Sequence, residues 1–111
     1  MNFLNRIFKR RRMTLAEIIT SINNQNEEAM IFAKRVDGKF TPSSEATLVE
    51  VEAEEEDLQT SEIADKHCPG FDYFLEVFLV RDMLEDLKNT VGFKSVEQKI
   101  DRIIRYAESD A

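Results

Sequence analysis

The sequence has one cysteine, Cys68, so no disulfide can form within the chain. A lone thiol fits a reducing, intracellular setting. It has one histidine, His67, which excludes a multi-histidine metal site within one chain. Three glycines and two prolines leave little room for long disordered linkers. No run reaches the eighteen or more apolar residues that a membrane span needs. The greasiest stretch, residues 73–80, is short and contains Glu76. The opening residues are not arranged as a secretory signal, because apolar residues precede the charges and Glu17 follows soon after. The expected location is the cytoplasm.

Catalytic motifs are also lacking. There is no glycine-rich phosphate loop, no paired metal-ligand spacing and no Gly-x-Ser-x-Gly elbow. The acidic run at 54–57 lacks the spaced Asp/Asn pattern, central Gly and closing Glu of a calcium loop. His67 and Cys68 are adjacent, but sequence neighbours usually point apart, and a Cys–His pair is normally assembled by the fold. The expectation is therefore a non-enzymatic protein with no cofactor and no metal.

What is present is charge, unevenly distributed. The chain has 111 residues and a formal net charge of −7. Residues 1–12 carry five cations, Arg6, Lys9, Arg10, Arg11 and Arg12, and no acid. The remainder carries ten basic and twenty-two acidic residues. From Ser44 through Asp65 there are nine acids and no base. This divides the chain into a basic amphipathic arm, residues 1–12, and a single acidic domain, residues 13–111, large enough for a modest core.

Residues 3–10 read as a short amphipathic helix. Phe3, Leu4, Ile7 and Phe8 fall within an arc of about 140°, with Arg6 and Lys9 opposite. Thr14 and Glu17 have the spacing of a capping box, and Leu15, Ile18, Ile19 and Ile22 recur at helical intervals, predicting a helix over 14–24. Residues 29–36 and 46–52 read as two antiparallel strands. The Asp37-Gly38 turn signal lies in the long loop between them. Residues 53–60 read as an exposed linker, and Ser61 as the cap of a helix over 61–67 that stops before Pro69. Residues 72–88 read as the most buried helix. The rival reading is a third strand over 71–79, because Phe, Tyr and Val favour strands. Ser95 and Gln98 repeat the capping-box spacing before a helix over 95–108. The expected core is Leu15, Ile18, Ile19, Ile22, Ile31, Leu48, Val49, Phe74, Leu75, Phe78, Met83, Leu84, Leu87, Ile100, Ile103 and Ile104.

The fold class expected is α+β: a small single domain, mostly helical, with a two-stranded antiparallel β element, or three-stranded if 71–79 is extended. A surface this acidic repels nucleic acid and attracts basic proteins. The expected binding residues are Glu50, Glu52, Glu54, Glu55, Glu56, Asp57 and Glu62. Small size and acidity together resemble immunity or inhibitor proteins that neutralise basic toxins such as nucleases by stoichiometric binding. The alternative is a peripheral regulatory or adaptor protein. In it the arm residues Phe3, Leu4, Arg6, Ile7, Phe8, Lys9, Arg10, Arg11 and Arg12 make a weak contact with an anionic membrane or with a partner.

Overall fold

A computed structural model of the chain describes residues 13–109. The arm, residues 1–12, and the helix expected over 3–10 lie outside the described residues. In chain order the elements are β1 (Met13–Thr14), α1 (Leu15–Thr20), β2 (Met30–Ala33), β3 (Glu45–Val49), α2 (Thr60–His67), β4 (Asp72–Glu76), α3 (Val77–Leu87) and α4 (Val96–Ser109). Short 3-10 turns lie at Ile22–Asn24 and Ala53–Glu55. The architecture is α+β, but the sheet has four strands, in the order β1-β3-β2-β4, all antiparallel. That exceeds the two or three expected. The two-residue β1 is too short to leave a periodic signal.

The sheet is covered on both faces, and β2 shows how. Ile31 and Ala33 enter a large core with Leu15, Ile18 and Ile19 of α1, Val80 of α3, and Ile100, Ile103 and Ile104 of α4. Phe32 points the other way, into a smaller core with Val49, Ile63, Ala64 and Cys68. A strand buried on both faces reads as a continuous apolar run, as "MIFA" does.

The segment expected as one helix over 72–88 divides at Glu76. Its first part is the edge strand β4 and its second part is α3. The register explains why periodicity misleads here. Ile31 pairs with Leu75 and Phe32 with Tyr73, so Phe74 has no opposite number and forms a bulge. Phe74 and Leu75 consequently both enter the large core, while Tyr73 packs on the small one. Alternation is broken within five residues, and the pattern comes to resemble a helix buried all round. The Val77 N–H donates to the Ala29 carbonyl at 3.0 Å, so the first helical residue extends the ladder.

Several local expectations change. The helix expected over 14–24 stops at Thr20, and Ile22–Asn24 is 3-10. Its capping box is present: Glu17 N–H donates to Thr14 Oγ1 at 3.1 Å, and Thr14 N–H to Glu17 Oε1 at 2.8 Å. The cap of α2 is Gln59 rather than Ser61, with Gln59 N–H donating to Glu62 Oε1 at 2.9 Å. The Ser95–Gln98 box at the start of α4 closes in both directions. Asp37 and Gly38 have positive φ of 53° and 83°, and Val36 and Lys39 exchange backbone hydrogen bonds around them. This is the geometry an Asp-Gly pair favours, formed as a small hairpin inside the longer connection. Phe78, expected in the core, is 45% exposed, because its position on α3 faces away from both cores.

Arg35 fastens this connection to the rest of the molecule. Its guanidinium lies 4.1 Å from the Phe40 ring centre, with Nε 3.1 Å from Asp72 and Nη1 2.7 Å from Glu108. Glu108 also accepts the Phe40 N–H at 2.8 Å. Burial by itself raises the Glu108 carboxyl, but Arg35 and the Phe40 amide outweigh it and hold the pKa below the ordinary value.

Two phenylalanines on adjoining elements provide a test. Phe74 is 1% exposed and meets Phe40 edge-on at 5.1 Å between ring centres. Phe74→Ala should cost about 3–5 kcal/mol in urea denaturation. Phe78→Ala should cost under about 1 kcal/mol. Equal losses would contradict the division of this segment at Glu76.

Candidate functional site

The acidic stretch is a structured shoulder beside α2, and Glu55 holds it there. Val51 and Leu58 pack against the small core at either end of the segment. Between them the chain turns through Ala53–Glu55, with Glu55 N–H donating to Glu52 O at 2.9 Å and Leu58 N–H to Glu55 O at 3.0 Å. The Glu55 side chain enters the fold and is 1% exposed. Its Oε1 accepts the Glu52 N–H at 2.9 Å. Its Oε2 accepts from Lys66 Nζ and, at 2.9 Å, from His67 Nε2. Each oxygen therefore has a donor, as a buried carboxylate requires.

The charge-assisted bond from Lys66, then the Glu52 amide and then His67 depress the Glu55 pKa from 4.5 to about 2. Reciprocally, the bond to Glu55 raises the Lys66 pKa.

The expected binding residues thus separate into two groups. Glu50, Glu52, Glu54, Glu56, Asp57 and Glu62 are exposed and lie on the shoulder or the first turn of α2. Glu55 is removed from the set, because its carboxylate is the anchor and is closed to a partner. The expectation that 53–60 is a plain exposed linker is corrected for the same reason. Lys66 and His67 went unrecognised as anchor partners, because eleven or twelve residues separate them from Glu55 and no local spacing relates them. The Glu52–Glu55 and Gln59–Glu62 intervals do repeat the i, i+3 spacing of a capping box, with acids and amides at the cap.

His67 is committed to Glu55, and Cys68 is buried in the small core. Burial pushes the Cys68 thiol pKa upward, away from the thiolate form a nucleophile needs. The two neighbours therefore serve different partners. Among the described residues, no group of three or more His, Cys, Asp or Glu side chains could hold a metal ion, and no helix is long and apolar enough to cross a membrane.

A concave feature lies on the other side of the sheet, against the large core. A cleft of about 220 Å³ runs between the α1 end, α3 and α4, with Ile19, Ile22, Leu84 and Ile100 among its apolar lining. Arg81 crosses its wall, donating to Glu27 and the Gln25 carbonyl, each at 3.0 Å. The buried Nε of Arg81 has no hydrogen-bond partner among the described residues.

The anchor predicts an acid-sensitive step. A carboxyl with a pKa of about 2 when folded and 4.5 when unfolded stabilises the protein fully above pH 4.5. That contribution is lost as pH falls towards 2. At neutral pH, Glu55→Gln should lower the melting temperature by several degrees. The gap between wild type and variant should close between pH 4.5 and 2. A gap that is unchanged at low pH would rule out a charged Glu55 as its source.

No family model matches the chain, and comparison with curated proteins and with solved structures likewise gives no match.

Proposed function

We propose that this protein is a non-enzymatic, cytoplasmic binding protein that engages a basic protein partner stoichiometrically through its acidic shoulder, in the manner of an immunity or inhibitor protein. The observation that carries this reading is the anchored presentation of charge. Glu50, Glu52, Glu54, Glu56, Asp57 and Glu62 project from backbone that capping bonds, two apolar contacts and the buried Glu55 hold in place. A freely moving acidic loop would solubilise equally well and would need no buried carboxylate. Fixed carboxylates lose less freedom on binding, which favours recognition over mere solubility. Their mutual repulsion favours a cationic ligand that relieves it.

Exposed charges act mainly on encounter, while buried contacts set dissociation. The triple variant Glu54→Gln, Glu56→Gln, Asp57→Asn leaves the anchor intact. It should slow association with the captured basic partner about tenfold at low salt, with little change in dissociation. The melting temperature should hold or rise slightly. Wild type and variant are compared by pull-down from native lysate, followed by association rates across a salt series. A partner that is acidic, or whose association rate is indifferent to both salt and the substitutions, refutes the reading.

A further inference from the structure

The cleft against the large core carries the opposite sign of charge to the domain around it. Its interior is apolar, with Ile19 and Ile22 on one side, Leu84 of α3 on another and Ile100 of α4 on a third. Val96, the first residue of α4, also lines it and is 52% exposed. An apolar concavity with a few polar groups around it is the usual form of a small-molecule site. The charged part of the lining is less usual. It consists of three cations, Arg81, Lys88 and Lys99, and one acid, Glu85. Residues 13–111 hold ten basic and twenty-two acidic residues, so the cleft reverses the local balance.

Two of the three cations are answered. Lys88 Nζ lies 3.1 Å from Glu85, and Arg81 Nη1 lies 3.0 Å from Glu27. Lys99 is only partly exposed, yet it has no ion-pair partner among the described residues. A lysine placed so rests its aliphatic stem on apolar surface and keeps its ammonium within reach of water. The buried Nε of Arg81 is likewise unanswered. Both unmet groups are cationic donors, so what the cleft lacks is a negatively charged acceptor. Size limits the rest of the ligand. A dry cavity of about 150 Å³ is filled by the six carbons of benzene. At about 220 Å³ the cleft is larger by roughly half, which suits a body of roughly eight carbons.

We propose that this cleft binds a small amphipathic carboxylate, its apolar body lying on Ile19, Ile22, Leu84 and Ile100 and its head paired with Lys99. The Arg81 guanidinium in the wall adds positive charge behind the head without touching it. The site lies across the sheet from the acidic shoulder, so it does not depend on the proposed basic partner, and failure of either reading leaves the other standing.

The experiment titrates the full chain at neutral pH with octanoate and with 1-octanol, which shares the chain and lacks the charge. Amide chemical shifts are followed by NMR. Octanoate should give saturable shifts at Leu84, Val96 and Ile100 and none at Glu54 or Ile63. Its affinity should exceed that of 1-octanol by about fivefold, the scale of one partly exposed ion pair. Lys99→Gln should remove that preference by weakening octanoate alone, and Lys99→Arg should restore it. Because Lys99 has no partner to lose, neither substitution should lower the melting temperature. Shifts that do not saturate, or that spread to the small-core side, overturn the proposal. So do equal affinities for the acid and the alcohol, or a preference that survives Lys99→Gln.

Discussion

Burial of both faces of β2 is the constraint on which the rest of the molecule depends. A strand in the middle of a sheet has its backbone satisfied by neighbours on both sides, here β3 and β4. Its side chains then need an apolar layer above and below. Three helices meet Ile31 and Ala33 on one face, and α2 meets Phe32 on the other. The bulge at Phe74 follows from the unequal depth of these layers. It turns two successive large side chains toward the thick layer, where Phe40 and Val77 receive them.

The same constraint governs what could be read from the amino acids alone. Elements with one dry face were legible. Ile100, Ile103 and Ile104 mark α4, and Leu15, Ile18 and Ile19 mark α1, because their apolar positions repeat at the helical interval on a single side. Residues 71–79 were not, because a bulged strand followed directly by a helix presents apolar side chains in every direction. Nor was β1, whose two residues pair only because β3 is already in place. The acidic stretch was legible as charge and illegible as structure. Nothing in "EAEEED" distinguishes the glutamate that turns inward, because its partners Lys66 and His67 come into reach only when α2 folds back beside it.

Burying Glu55 runs against the usual cost of desolvating a carboxylate. The cost is bearable because three donors converge on the carboxylate and two belong to side chains that keep contact with water: Lys66 is 56% exposed and His67 31%. The arrangement trades one negative charge for position. It removes a carboxylate from an already crowded surface and uses it to orient the others. Lys66 and His67 both lie in the last turn of α2, where the Lys66 ammonium additionally complements the helix dipole.

The sheet is also a partition. Among the described residues, the larger core has sixteen buried members and the smaller has five. Cooperative units with fewer buried contacts open at lower free energy than the whole. The layer behind the shoulder, α2 with residues 51–58, is therefore the part that yields first, and it can do so while the three-helix layer stays closed. The fixed arrangement of the acidic side chains therefore lasts only as long as the small core stays closed, and its persistence is set by that local opening rather than by the stability of the domain as a whole.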